Sequence, residues 1–169
     1  MTTGRFTRRH ANFAGFLACA GMMGFALYAE HVLQLEPCPL CVFQRVATIG
    51  LGLLFLLAAL HNPAGWGSRV WAALIVVAAG IGASIAGRHV WIQSLPPDEV
   101  PACGAGLDYL LDTVPLVDVI REVFTGSGEC AELKWSFLGL SMPAWVLICM
   151  LLLGLFGLIA NLRLPARRL

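Results

Sequence analysis

Cysteine is the residue type in this sequence best suited to redox chemistry, and the six cysteines are unevenly spaced. Cys38 and Cys41 are separated by two residues, whereas 26 residues separate Cys103 from Cys130. Four cysteines permit three disulfide pairings, and the short separation favours Cys38 with Cys41. That pairing leaves Cys103 with Cys130. The spacing by itself does not fix this connectivity.

The residues around the close pair predict a reactive thiol. Pro39 suits the first position of a helix, which makes Cys38 the residue that caps it. Both sulfurs then lie near a helix amino terminus, which carries about half a positive charge. Arg45 follows Cys41 by four residues and lies on the same helical face, one turn deeper. This arrangement favours a thiolate at Cys41, the form that attacks disulfides and leaves from them.

Two other uses of these cysteines are open at this point. The close pair is compatible with a purely structural disulfide, and a Cys103 to Cys130 bond would also stabilise the fold by restricting the unfolded chain. It is also compatible with half of a four-cysteine zinc site, although such sites usually need a second close pair. Because disulfides form on the exported side of a membrane, we favour redox pairing and expect no metal.

Two basic residues are candidate ligands for a lipid-soluble oxidant. The Arg45 guanidinium would bind and polarise an oxygen of that molecule, and His89, next to Arg88, would donate to the same ligand. The alternatives are that Arg45 only anchors its helix at the interface and that His89 only marks a polar boundary. Cys19 and Cys149 lie in apolar segments and are expected to behave as small hydrophobic residues.

The composition indicates that a bilayer surrounds the elements that position these residues. The 169 residues are 59% apolar and 12% charged, with a mean hydropathy of +0.80. Soluble domains are about 25% charged, so a soluble globule, a disordered chain and a collagen are excluded. Four segments of near 20 residues can cross a bilayer, and they form one domain over residues 1–169. These predicted spans are about 11–29, 42–60, 70–88 and 142–162.

The distribution of charge predicts the orientation of the spans. Seven of the eleven Lys and Arg residues lie in the two tails and in the link between the second and third spans. All ten Asp and Glu residues lie in the two remaining segments. The four spans predict an all-α four-helix bundle. The positive-inside rule predicts that both termini are cytoplasmic and that two loops, about 30–41 and 89–141, face outward. A cleaved amino-terminal signal is the alternative, but the apolar run continues to Ala29, which favours a retained span.

Three smaller features complete the expected architecture. Ser141, just before Met142 and Pro143, is the expected N-cap of the fourth span. The segment 107–124 is too charged to span, and it lies either along the interface or packed on the bundle. Glycines in the second and third spans are expected to permit close helix approach. They are Gly50, Gly52, Gly80, Gly82 and Gly87.

The combined motifs resemble a known family over nearly the whole chain. They are segment 36–41, with sequence EPCPLC, then Gln44 and Arg45, and the later block 126–132, with sequence GSGECAE. This pattern is similar to that of the DsbB family of bacterial inner-membrane disulfide oxidases. The resemblance implies that the protein reoxidises a soluble DsbA-like, thioredoxin-fold dithiol oxidase in the periplasm. It also implies electron transfer to the membrane pool of ubiquinone or menaquinone, within the lipid bilayer and with no nucleic acid partner.

The resemblance also implies a role for each candidate residue. Cys103 would receive the attack of the partner's thiolate, with Cys130 as its paired cysteine. Quinone would reoxidise the pair Cys38 and Cys41, of which Cys41 meets the quinone ring. The quinone-binding residues would be Arg45 and His89.

Two rival functions fit the same four-helix plan. A vitamin K epoxide reductase-like protein also sets a membrane-edge pair of cysteines beside a quinone, but its active pair normally lies late in the bundle. Here the pair opens the second span. The other rival is a non-catalytic four-span scaffold whose disulfides only fasten its outward loops.

Overall fold

The computed structural model describes residues 7–96, 98–100, 112–113, 115, 117–118 and 128–165. Four of its helices are long and apolar enough to cross a membrane, which confirms the predicted spans. Their boundaries differ from the predicted ones by at most five residues. In chain order the described elements are α1 (Arg8–His31), α2 (Pro39–His61), α3 (Trp66–Gln93), the single turn α4 (Gly128–Ala131), β1 (Ser136–Phe137), β2 (Leu140–Ser141) and α5 (Met142–Arg163).

Residue choice at the helix ends explains where the chain turns. Asn62 ends α2 with φ at 44°, and Gly65 precedes α3 with φ at 59°. Asparagine and glycine tolerate this left-handed region better than other residues. Ser141 holds the predicted N-cap position of α5, but its side chain makes no capping hydrogen bond. The predicted position is confirmed, although the capping interaction is absent.

A short hairpin precedes α5. Strands β1 and β2 are antiparallel, and Leu138 and Gly139 join them with φ at 53° and 79°. Two successive positive φ values are the signature of a type I′ turn, the tight connection that matches the twist of paired strands. The indole Nε1 of Trp145 donates to the carbonyl of Phe137 at 3.1 Å. This bond ties the hairpin to the first turn of α5.

The long helices form a ring in which α1 packs on α2, α2 on α3, α3 on α5, and α5 on α1. The interior of the ring is apolar, with Leu51, Phe55, Ile75 and Met150 fully buried. Large apolar side chains also cover the outside of the bundle, as a surface that faces lipid requires. Examples are Leu17, Val46, Val77 and Leu152.

Two glycines that the sequence did not single out allow the closest helix contacts. A Cβ atom at Gly15 would lie 2.7 Å from the Phe55 ring, and one at Gly157 would overlap Ile75. Among the predicted glycines, Gly52 and Gly82 do lie against neighbouring helices. The prediction was wrong for the others, which have no atom of the described residues within 4 Å of an added Cβ; they are Gly50, Gly80 and Gly87.

Gly157→Ala is expected to destabilise the bundle, because the added methyl group meets both Ile75 and Phe55. Overpacking of this kind costs about 1–3 kcal/mol, so the melting temperature in detergent should fall. Gly80→Ala is the matched control, since its methyl group would enter open space and alanine favours the helix. Equal melting temperatures for the two variants would contradict close packing at Gly157.

A polar pair crosses the apolar interior. Asn12 in α1 and Asn161 in α5 are completely buried, and each side chain donates to the other's carbonyl oxygen at 3.1 and 3.0 Å. Asn161 also donates to the carbonyl of Gly157 at 2.9 Å. The two amides therefore satisfy each other across the interface between the first and last long helices.

Candidate redox site

The Cys38 and Cys41 thiols lie at the amino terminus of α2. Cys38 is the N-cap, its Sγ accepts a hydrogen bond from the Cys41 amide at 3.4 Å, and Pro39 occupies the first turn. This confirms the predicted capping arrangement. The two Sγ atoms are 2.8 Å apart, so a small movement would close a disulfide between them. Cys38 is buried, whereas Cys41 is partly exposed.

His89 belongs to the same site. It is 2% exposed, and its Nε2 atom lies 3.8 Å from Cys38 Sγ and 3.1 Å from the Cys130 carbonyl oxygen. The Gln44 amide nitrogen lies 2.9 Å from His89 Nδ1. If that amide donates, the imidazole proton resides on Nε2, which faces the cysteines. His89 is therefore buried among the cysteines, and its role as a ligand for an oxidant stays a prediction.

Cys130 reaches this site from the segment between α3 and α5. It lies in α4, is 1% exposed, and packs in one buried cluster with Cys38, Leu40, Ile85 and Ile92. The pKa of the Cys38 thiol is raised above its ordinary value. The largest cause is hydrogen bonding with Cys130, followed by hydrogen bonding with Cys41 and by burial. Cys38 is therefore the sulfur of this site that holds a proton more firmly than a free thiol does.

Two predicted features lie wholly or largely outside the described residues. Cys103 is one of them, so its pairing with Cys130 stays a prediction. The other is the segment 107–124, of which only residues 112–113, 115 and 117–118 are described.

Arg45 has a partner that the sequence analysis did not identify. Its guanidinium forms an ion pair with Glu30, near the end of α1, and Nη2 donates to the Ala26 carbonyl at 3.2 Å. The only sequence signal for the pair was their opposite charge near two span ends. Arg88, which the sequence analysis grouped with His89, lies over the Trp91 ring at 4.1 Å.

A cavity of about 100 Å³ opens beside the two thiols. Its polar lining residues include Cys41, Gln44, Arg45 and His89, which supply hydrogen-bond donors and a reactive sulfur. The wall as a whole is mostly apolar, although it also carries the charged residues Glu36, Glu132 and Lys134. Residues of that wall include Met22, Met23, Trp135, Met142 and Val146.

Cys38, Cys41 and His89 also form a group with the donor types of a zinc site, since their ligand atoms lie within 4.8 Å of one another. Two thiolates on a tetrahedral zinc would be about 3.7 Å apart, given Zn–S bonds of about 2.3 Å. The observed 2.8 Å separation is shorter. The geometry is therefore closer to that of a disulfide than to that of two zinc ligands.

Comparison with known proteins agrees with this chemistry. A family model described as "Disulfide bond formation protein DsbB" matches residues 8–160. Three relatives named disulfide bond formation protein B come from Nitrosococcus oceani, Marinobacter nauticus and Hahella chejuensis. In that order, the relatives are 53%, 51% and 54% identical to this chain. The matches cover 91%, 88% and 84% of this chain. They cover 91%, 88% and 86% of the relatives' own lengths. The chain belongs to the DsbB family.

Membership of the DsbB family makes this protein a multi-pass membrane disulfide oxidoreductase. It confirms the resemblance drawn from the motifs, and it decides against the vitamin K epoxide reductase-like family. Two residues that contact the candidate site residues, Gln44 and Glu30, were given no role by the sequence. Gln44 stood inside the quoted motif, but its contact with His89 depends on how α2 packs on α3.

Proposed function

We propose that this protein reoxidises a soluble DsbA-like dithiol oxidase and passes the electrons to ubiquinone or menaquinone in the bacterial inner membrane. The main support is that one cavity brings the Cys41 thiol together with Arg45 and His89. That combination joins a thiol able to give up electrons with groups able to hold the oxygen of an acceptor. The charge distribution supports cytoplasmic termini, with the cysteine loops in the periplasm.

Transfer between the two cysteine pairs proceeds by thiol–disulfide exchange. The partner's dithiol reduces a Cys103–Cys130 disulfide and leaves as a disulfide. The Cys130 thiolate attacks Cys38 of the Cys38–Cys41 disulfide, so a Cys130–Cys38 bond forms and Cys41 leaves as a thiolate. Cys103 then attacks Cys130, which restores the first disulfide and releases Cys38. Two electrons and two protons have moved from the partner to the close pair.

The burial of Cys130 beside Cys38 supports this order of attack. Cys38 is the buried sulfur of the pair, and Cys41 is the sulfur that is partly exposed. An attacking Cys130 thus meets Cys38 first. The helix amino terminus stabilises the negative charge that develops on the departing Cys41.

The residues of the cavity fit a quinone head group. Met22 and Val146 provide apolar surface for a ring, while Arg45 and His89 provide donors for a carbonyl oxygen. When bound, a quinone supplies an acceptor for two electrons and two protons. Arg45 would hold its oxygen by a charged, planar donor. With the Gln44 amide donating to Nδ1, His89 would hold its proton on Nε2, next to the thiols.

The test is quinone reduction by the purified full-length protein in lipid nanodiscs. Reduced DsbA-like oxidase is the electron donor and short-chain ubiquinone the acceptor, and quinone absorbance is followed with time. We expect turnover that requires both substrates and that a Cys19→Ala variant retains, because Cys19 is buried in the core away from the thiol pair. A non-catalytic scaffold would give no turnover above the rate without protein, and that result would overturn the proposal.

A further inference from the structure

A second cavity, of about 400 Å³, lies at the end of the bundle opposite to the thiols. The end of α1 that carries Arg8 and the beginning of α3 contribute most of its wall, and α5 closes one side. Its walls contain two arginines, a tryptophan and a serine. The lining residues are Arg8, Gly65, Trp66, Ser68, Arg69 and Leu162.

Arg8 is unusually buried for a charged residue. It is 7% exposed, and its guanidinium donates to the carbonyls of Pro63 and Leu164, the latter at 2.7 Å. Its Nε atom is buried and has no hydrogen-bond partner among the described residues. Neutral carbonyls leave the positive charge uncompensated. A buried guanidinium with a spare donor is therefore available to an anion.

Arg69 and the start of α3 add to this positive region. Arg69 is exposed, and within the described part of the chain it makes no ion pair. The helix begins after Gly65, which provides no side-chain cap, so first-turn amides point out of the helix end. Such amides and the helix dipole favour negative charge.

The sequence offers no Asp or Glu side chain in the segments that form this end of the bundle. No Asp or Glu occurs in segments 1–29, 37–97 or 133–169, which include every residue of the cavity wall. Trp66 is 76% exposed beside the arginines, and tryptophan concentrates at the depth of lipid head groups. No Asp or Glu side chain of these segments therefore supplies a counter-charge for Arg8 and Arg69, which favours an anionic ligand.

We propose that this cavity binds a phosphate group, with the head group of an anionic phospholipid as its source in the membrane. Arg8 and Arg69 hold the phosphate oxygens, the first turn of α3 donates backbone amides, and Trp66 packs beside the glycerol region. Basic pockets at the ends of membrane helices bind anionic head groups in this way. The bound lipid would link the α2–α3 turn to the end of α5 through Arg8.

The experiment uses the full-length protein in a neutral detergent with phosphatidylglycerol as the first probe and sodium phosphate as the second. Native mass spectrometry counts bound lipid. The melting temperature is measured with each probe, and the value in sodium phosphate is compared with that in sodium chloride of equal ionic strength. We expect one retained phosphatidylglycerol and a rise in melting temperature. If sodium phosphate competes with the lipid, phosphate alone is sufficient for binding; if it does not, the lipid's other parts contribute. Both results support the site.

Arg69→Gln is the decisive variant, because Arg69 is exposed and its loss leaves the packing intact. We expect about tenfold weaker binding of phosphatidylglycerol. Arg163→Gln is the matched control: it removes the same charge from the same end of the bundle but lies outside the cavity wall. Purified Arg8→Gln protein should also lose binding. Equal weakening by Arg69→Gln and Arg163→Gln, or no binding of either probe to the unmodified protein, would overturn the proposal.

Discussion

Cys130→Ser is expected to reduce electron transfer from the DsbA-like partner to the uncatalysed background. The serine hydroxyl cannot attack a disulfide, and Cys130 is the buried sulfur-bearing residue that packs against Cys38 from the other loop. The close pair should remain active, since Cys38 and Cys41 keep their own contacts. Quinone reduction driven by the partner should therefore stop, whereas reduction driven by dithiothreitol, which reaches the close pair directly, should continue.

Two further variants make this experiment decisive. Cys103→Ser is expected to behave like Cys130→Ser, because the two cysteines are proposed to act in series. Cys149→Ser is the control, since Cys149 lies within α5 and has no proposed part in the relay. Loss of the dithiothreitol-driven rate in Cys130→Ser would mean that the pairs do not act in series.

Arg45→Ala is expected to lower kcat/KM for quinone by about a hundredfold, the usual loss when a donor to a developing negative oxygen is removed. Arg45 lines the same cavity as Cys41, one helical turn away along α2. Arg45→Lys keeps the charge but not the planar pair of donors, so its apparent KM should rise about tenfold with kcat less affected. Steady-state quinone reduction at saturating reduced partner measures both parameters.

The ion pair with Glu30 gives this prediction a control. Glu30→Gln removes the carboxylate but leaves the guanidinium in the cavity wall, so it separates structural support from quinone binding. We expect a small change in melting temperature for Glu30→Gln and a KM for quinone close to that of the unmodified protein. If Glu30→Gln reproduces the kinetic defect of Arg45→Ala, Arg45 acts through the ion pair, as an interfacial anchor would.

The parts of the fold that could be predicted from the sequence are those that local patterns determine. Apolar length determined the four spans, and Pro39 after Cys38 determined the start of α2. Ser141 and Pro143 likewise marked the start of α5. Each of these signals acts within one or two helical turns, so no knowledge of packing was needed.

The contacts that complete the site depend on how the helices pack together. The distance from Gln44 to His89 joins α2 to α3, and the ion pair of Arg45 with Glu30 joins α2 to α1. The approach of Cys130 to Cys38 joins the segment between α3 and α5 to the segment between α1 and α2. Residue spacing along the chain carries no information on these distances. It therefore identified the candidate residues but not their partners.

The mutual amide bonds of Asn12 and Asn161 bear on how the chain assembles in the bilayer. Asn12 enters the membrane with the first helix to be synthesised, and Asn161 arrives with the last. Until α5 arrives, the Asn12 amide lacks the partner that satisfies it in the finished bundle, and an interhelical hydrogen bond in a membrane is worth about 0.6 kcal/mol on average. A chain truncated before α5 would thus leave a polar group in the apolar interior. The Asn12–Asn161 pair therefore stabilises the bundle only once α5 has packed on α1. It also fixes the depth in the bilayer at which these two helices meet.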